Sequence, residues 1–459
     1  MIAKVKIVAT LGPSTNTRES IAELIDRGVN VFRLNFSYGT YDEHSETIRA
    51  IREIAEEKSR QIGILQDICG PKIRITGLEK PIEVKRGDRL RVSRRPREEA
   101  FSLTYPEIVD ALRIGDKIFF SDGTVQTRVV GHDSEEKILE VMTPGRLMNG
   151  KGVNFPEADI TLHALTQKDR EDIRFGAQMG VDFLAVSFVS SEKDIAEARS
   201  ILHESGGSAW VIAKIERKSA LTRLEAIVEA SDGVMVARGD LGAEAGFSHV
   251  PVLQKEIIRM CNLKGKPVIT ATQMLTSMIH SPYPTRAEVS DIANALFDGT
   301  DAVMLSDETA VGEYPFKAVD VLIETIVESQ KFYPYSSPFM PEPREAFPHA
   351  AAELSSVLAS DLIVALTLSG YTLRHLSKFR PQKPLYAIST DSALVNKTTL
   401  VWGCVSCVTI ENFSNEKELV EKFLKSAKID PETFLLVTGY LGEKISLGKS
   451  VRYIDRTHQ

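Results

Sequence analysis

Residues 267–305, PVITATQMLTSMIHSPYPTRAEVSDIANALFDGTDAVML, carry one complete strand–helix–strand unit, and the repetition of that unit decides the fold. Pro267–Ala271 is a short apolar run, the pattern of a strand covered on both faces. Thr285-Arg286-Ala287-Glu288 is a capping box, and Val289, Ile292, Ala293 and Leu296 then fall on one helical face. Gly299 is placed to end that helix before the next apolar run, Ala302–Leu305.

Outward from this unit the same rhythm recurs. Strand-like runs stand at Val5–Ala9, Val31–Asn35, Ile62–Asp67, Asp182–Ser187, Trp210–Ile215 and Gly233–Ala237. Between the first two, Thr17–Arg27 places Ile21, Leu24 and Ile25 at helical spacing, with Gly28 as its stop. Eight such units predict an α/β fold built on a closed (β/α)8 barrel, an open doubly wound sheet being the alternative. The interval from Asp67 to about Gly152 breaks the rhythm. It is rich in Val, Ile, Arg, Gly and Asp, with turn signals at Lys85–Asp88, Gly115-Asp116 and Asp122-Gly123. This predicts a small all-β insertion, leaving the barrel on the side where such barrels keep their sites and able to act as a lid. Residues 334–348 hold five of the 20 prolines and read as an exposed linker. The expected division is a barrel over 1–67 and 153–333, a β lid over 68–152, the linker, and a C-terminal α/β domain over 349–459.

Composition narrows the function classes. The chain has 459 residues, 43% hydrophobic and 26% charged, an ordinary globular balance. Four cysteines are too few for a disulfide scaffold and fit a reducing compartment. No apolar run nears the roughly 20 residues that cross a bilayer. The opening MIAKVKIVATLGPS reads as strand and turn rather than a signal peptide, so a cytoplasmic protein without a membrane partner is expected. A net charge of −7 argues against a nucleic-acid binder. Residues 68–151 alone carry 16 Lys and Arg against 13 Asp and Glu, which suggests an anionic ligand near that module or a solvated sheet surface.

Polar residues gather just past the strand ends. Arg33, Asn35 and Ser37 close the second run, Asp67 the third, Ser187 the fourth, and Lys214 and Glu216 the fifth. Arg238, Gly239 and Asp240 follow the sixth, Thr272 the seventh, and Ser306 and Glu308 the eighth. In a parallel barrel these positions converge on one rim, which predicts a shared site rather than separate helix caps. Glu216 and Asp240 are hard carboxylates on neighbouring strand ends, suited to Mg²⁺ or Mn²⁺; salt bridging to Lys214 or Arg238 is the plainer reading. The nine histidines are scattered and suggest no zinc site. Lys214 lies among charged groups, which favours charge stabilisation over Schiff-base chemistry.

Other motifs carry less. Gly145–Lys151 fits G-x-x-x-x-G-K, but Gly152 stands where Ser or Thr is needed and an extended stretch follows. Lys85–Arg97 has seven basic residues but no interleaved aromatic to stack bases. Cys404-x-x-Cys407 has no second pair and reads as part of a buried strand. The hydroxyl-rich loop 367–372 reads equally as a phosphate-holding loop or a strand–helix turn.

Taken together, KIVATLGPS (6–14), VFRLNFSYG (31–39), GPKIRITG (70–77), KGVNFP (151–156), AKIE (213–216), SDGVMVARGDLG (231–242), GKPVITATQML (265–275), PTRAEVSDIANA (284–295) and DAVMLSDETAVGEYP (301–315) resemble the pyruvate kinase family. SKFRPQKPLYA (377–387) and TGYLGEKISLGKS (438–450) are similar, more weakly, to that family's last domain. The resemblance implies a barrel with an inserted β lid and a C-terminal α/β domain. It implies transfer of a phosphoryl group from phosphoenolpyruvate to ADP, giving pyruvate and ATP, with Mg²⁺ or Mn²⁺. By motif, Arg33 would hold the substrate phosphate and Lys214 would neutralise the transferring group. Glu216 and Asp240 would bind the metal. Gly239, Asp240 and Thr272 would receive the substrate carboxylate, with Thr272 near the protonation route. Asn35, Arg74 and Lys151 would contact nucleotide phosphates. A homotetramer, and a regulatory sugar phosphate or nucleotide near a loop like 367–372, are also family habits.

The departures are informative. Lys72 stands where K⁺-requiring members have Glu, and Ile68 and Ile75 stand where they have threonines. A tethered ammonium supplies the same charge, so turnover without K⁺ is expected, with Asn35, Ser37 and Asp67 left as a relic site or as partners of Lys72. Tyr38 replaces a His, Ser121 an acid, and Asp307 a glycine. Two rivals are a barrel enzyme making or breaking carbon–carbon bonds in pyruvate-like substrates, and a nucleic-acid-binding role for Lys85–Arg97. The first needs neither the lid nor Arg74 and Lys151.

Overall fold

The computed structural model describes residues 3–97, 99–121, 123–133, 136–155, 163–335, 338–438 and 449–457. Strands Lys6–Thr10, Val31–Asn35, Gly63–Asp67, Phe183–Val186, Trp210–Ile215, Gly233–Ala237, Val268–Ala271 and Ala302–Leu305 pair in parallel, each with the next in the chain. The last returns to the first, Lys6 opposite Ala302 and Ala9 opposite Leu305, so the barrel is closed and the open-sheet alternative fails. The helices between them begin and end where local chemistry directs. Thr17 and Thr285 cap their helices with their own hydroxyls, and Gly299 (φ 94°) stops the helix Arg286–Asp298 in the left-handed region.

The insertion is a seven-stranded sheet running from Ile75–Thr76 to Val153–Asn154, with a separate two-stranded pair. A bridge between Arg74 and Gly152 joins its two ends, so the sheet curls on itself into a barrel-like body. It has its own core, including Val92, Phe101, Phe120, Val129 and Leu139. Asp122, Pro156 and residues 439–448 of the TGYLGEKISLGKS stretch lie outside the described residues.

The C-terminal sheet runs Cys404–Thr409, Leu385–Ser389, Leu362–Leu366, Thr433–Thr438, Ser450–Asp455, parallel except for the last strand. Cys404 and Cys407 are free thiols buried in its first-named strand. One apolar cluster joins barrel-interior residues such as Val8, Leu65, Ile212 and Met304 to Ile363, Leu373 and Leu400 of this domain. Lys6 donates to the Cys404 carbonyl, and a Cβ on Gly63 would meet Thr399 Oγ1 at 2.6 Å. The C-terminal domain therefore stops the barrel end where strands begin and leaves the other rim clear.

The expected linker ends early. A helix, Ala346–Val357, starts inside it, and Pro348 sits in its first turn, where a missing N–H costs nothing. Glu345, expected to be exposed, is buried because it pairs with Lys378 (2.8 Å) and His375 (2.7 Å). Burial pulls His375 down to about 4 even though Glu345 opposes the shift; Arg374 and Lys378 add to it. An unfolded histidine protonates near pH 6.5, so between about 6.5 and 4 the unfolded chain holds more protons and stability falls as pH falls. We expect the urea midpoint to drop across that window, by up to about 3 kcal/mol in unfolding free energy. His375→Gln should flatten the slope; an unchanged slope in that variant would assign it to other groups.

Candidate active site

Each barrel strand delivers its last residues to one rim, and the charged ones meet there. Asp67, at the end of the third strand, is 2% exposed. Its Oδ2 accepts from Arg33 Nε (2.7 Å) and its Oδ1 from Lys214 Nζ (3.0 Å). Burial alone would raise its pKa, but Lys214 and Arg33 outweigh burial and hold the carboxyl below its ordinary value. Lys214 Nζ also donates to Ser187 Oγ (2.6 Å) and is ion-paired with Glu216 Oε1 (3.0 Å). Burial opposes its charge, and Asp67 and Glu216 more than restore it, raising the ammonium above its ordinary value.

Glu216 Oε2 accepts from Phe188 N at 2.7 Å. Burial pushes this carboxyl up, Lys214 pulls it down, and the negative charges of Asp240 and Asp67 push it up again. That mutual repulsion is what a divalent cation between Glu216 and Asp240 relieves, so the donor set fits a hard metal ion. Among the described residues no trio of His, Cys, Asp and Glu gathers into a complete ligand set. Further ligands would come from substrate and water.

Asp240 lies in the first turn of the helix Arg238–Ala245, where backbone N–H groups point outward. Its Oδ1 accepts from Lys72 Nζ at 3.2 Å, whereas Arg238 pairs with Asp291 (2.6 Å). Of the two salt bridges weighed for the carboxylates, Glu216–Lys214 forms. The bridge to Asp240 comes from Lys72 instead of Arg238. Gly239 N donates to Thr272 Oγ1 (2.9 Å), which donates onward to the Ala271 carbonyl (2.6 Å). Thr272 and Gln273 have φ of 68° and 57°, and Phe188 has 55°. A β-branched residue held there is strained, and such strain persists where surrounding contacts over-determine it.

The remaining expected residues sit further out. Asn35 Oδ1 accepts from Ser37 N (3.1 Å), shaping the loop after the second strand. Arg74 donates to the Gly150 carbonyl (2.9 Å) and the Lys151 carbonyl accepts from Ile75 N, which fixes both residues at the base of the insertion. Within the basic stretch 85–97, Arg91 and Arg97 pair with Glu136 and Arg94 with Asp110, as on a solvated face. Thr10 was missed: its hydroxyl accepts from Arg33 Nη1 at 3.1 Å. The signal was its place at the end of the first strand. Glu308, noted only as a strand-end acid, braces two rim loops by accepting from Leu275 N and Ser306 N.

Comparison with known proteins places this geometry. A family profile described as the barrel domain of pyruvate kinase matches residues 2–319, and one described as its alpha/beta domain matches 345–440. "Pyruvate kinase 2" of Synechocystis sp. is 43% identical over 414 residues, covering 87% of this chain and 70% of the relative. The pyruvate kinase of Thermotoga maritima is 40% identical over 430 residues, covering 92% of both chains. The crystal structure of a pyruvate kinase from Cryptosporidium parvum superposes with a TM-score of 0.90 at 34% identity, covering 99% of this chain and 96% of that one.

Asp67 is the shared acceptor of two buried cations. Asp67→Asn takes the carboxylate from Arg33 and leaves Lys214 with Glu216 alone, and we expect a loss of about 3 kcal/mol or more in urea unfolding. A loss under about 0.5 kcal/mol would show that Asp67 is not the hub.

Proposed function

The chain belongs to the pyruvate kinase family, a phosphotransferase family, and on that premise we propose that it transfers the phosphoryl group of phosphoenolpyruvate to ADP, giving pyruvate and ATP. The observation that carries the reading is the convergence of Lys214, Arg33 and Glu216 on one rim through Asp67. The assignment of 1–67 and 153–333 as catalytic body, 68–152 as lid and 349–459 as C-terminal domain belongs to the same reading, as do a cytoplasmic location and a homotetramer.

Phosphoryl transfer asks for in-line positioning and dispersal of charge rather than a protein nucleophile. Arg33 spends two of its five N–H groups on Asp67 and Thr10, which leaves three for the substrate phosphate. Lys214 gives hydrogen bonds to Asp67 and Ser187, which leaves its third N–H, beside Glu216, for an arriving phosphoryl oxygen. Ser187 is its one uncharged partner, and so the cheapest to release where a second N–H is used. Gly239 and Asp240 offer backbone N–H groups at a helix start to the substrate carboxylate, the Gly239 N–H leaving Thr272 Oγ1, and Thr272 exchanges its bond to the Ala271 carbonyl for one to substrate. Glu216 and Asp240 would hold Mg²⁺ or Mn²⁺. When bound, that ion supplies positive charge to substrate oxygens. Asn35, Arg74 and Lys151 are assigned to the nucleotide phosphates, and closure of the insertion over the rim would exclude water. Lys72, bonded to Asp240, brings a fixed cation to the same rim and takes the place of K⁺; Ser37 then serves the loop rather than an ion.

A coupled assay with phosphoenolpyruvate and ADP tests the activity. Lys214→Met should lose at least ~10²-fold in kcat with its circular dichroism unchanged, whereas Ser187→Ala should stay within about 10-fold of the parent. Equal losses in both would refute the separate roles. Chelation of divalent ions should abolish turnover, and tetramethylammonium buffers free of K⁺ and Na⁺ should sustain it. Steep activation by added K⁺ would overturn the assignment of Lys72.

A further inference from the structure

The insertion rests on the helix Arg238–Ala245, the same helix that brings Asp240 to the rim. In its last turn Glu244 Oε1 accepts from Asn154 Nδ2 (3.2 Å), at the end of the insertion's last strand, with the Phe155 N–H as a second donor to the carboxylate. Just past the helix, Phe247 lies under the turn at Gly123, where an added Cβ would meet its ring at 3.3 Å. Glu244 thus holds the insertion through two uncharged donors.

Arg217 stands beside this contact. It follows Glu216 directly and precedes the short helix Lys218–Leu221, which lies against the helix of Glu244. Its guanidinium sits over the Phe188 ring at 5.3 Å. It is half-buried, yet among the described residues it makes no hydrogen bond and no ion pair. Burial works against its charge, and of the acids that favour it Glu244 outweighs Glu216 and Asp194, with Tyr105 of the insertion after them. Glu216 is already engaged by Lys214 and the Phe188 N–H, and Asp194 by the N–H groups of Ser190 (2.8 Å) and Ser191 (2.9 Å). Glu244 is therefore the acid best placed to take this cation, and it is the one tied to a part that can move. A guanidinium with five unpaired N–H groups in a half-buried crevice is a cost that a small rearrangement relieves.

We propose that Glu244 is a two-position catch for the insertion: it holds the last strand through Asn154 in the arrangement seen, and it pairs with Arg217 when the insertion swings off the barrel. An ion pair then replaces the bonds from two uncharged donors, so the swung position carries no bare carboxylate and the two positions stay close in free energy. Arg217 and Glu244 are positioning residues. They act on the insertion and not on the reacting groups, so the catch stands or falls apart from the phosphoryl transfer proposed above.

Hydrogen exchange of the full chain, without ligands, reads the catch through peptides spanning Asn154 and Phe155. Asn154→Ala should speed exchange there by at least about 3-fold. Arg217→Met should slow it by at least about 3-fold, because the swung position loses its ion pair. Arg217→Lys keeps the charge and should lie closer to the parent than Arg217→Met. In a Glu244→Gln background, adding Arg217→Met should change exchange by less than about 2-fold. The buried strand Gly233–Ala237 should exchange as in the parent throughout. A packing role for Arg217 predicts the opposite sign, faster exchange when it is truncated. Unchanged or faster exchange in Arg217→Met would overturn the catch, as would the same slowing in Glu244→Gln or a slowing shared by the strand Gly233–Ala237.

Discussion

The rim depends on one buried carboxylate. Asp67 takes Arg33 on one oxygen and Lys214 on the other, and without it Arg33 would lose its carboxylate partner and Lys214 would keep only Glu216. Two cations gathered out of water repel each other, so Asp67 is the counter-charge that lets Arg33 and Lys214 share this rim. The arrangement is nearly neutral as it stands. Asp67, Glu216 and Asp240 oppose Arg33, Lys214 and Lys72, which leaves the net charge of the site to be set by what binds. On the proposed reading, an anionic substrate and a divalent cation can then enter together at little electrostatic cost.

The barrel supplies the precision this needs. Its strands are short and buried on both faces, and their ends are pinned by neighbours on either side. Glu308 ties two rim loops together, and Thr272 is held at positive φ by its own hydroxyl bonds and those of Arg238 to its carbonyl. The opposite end is closed by the C-terminal domain through a continuous apolar cluster. The insertion keeps a separate core and meets the barrel through bonds such as that from Asn154 to Glu244 (3.2 Å). A body attached in that way can change its angle without disturbing the barrel.

Much of this was legible in the residues. Apolar runs gave all eight barrel strands to within about a residue, because strands buried on both faces leave an unambiguous composition. Capping boxes and stop glycines located helices such as Arg286–Asp298 for the same local reason. The strand-end rule brought Arg33, Asp67, Lys214, Glu216 and Asp240 together. What stayed hidden depended on partners far along the chain. The pairing of Lys72 with Asp240 spans 168 residues, and the burial of Glu345 is decided by Lys378 and His375 across a domain junction. The order of strands inside the insertion was equally out of reach, since alternation marks a strand but not its neighbour.

Joining the first strand to the last has a consequence for biosynthesis. Lys6 finds its partner only when Ala302 has left the ribosome, and the lower mouth stays open until residues near 400 follow. For most of translation the nascent chain carries an unzipped sheet with two raw edges, the state in which parallel β structure is most prone to mispair. The β insertion, whose strands all lie within some 80 consecutive residues, is under no such delay and can form first, as a folded passenger on a barrel that does not yet exist.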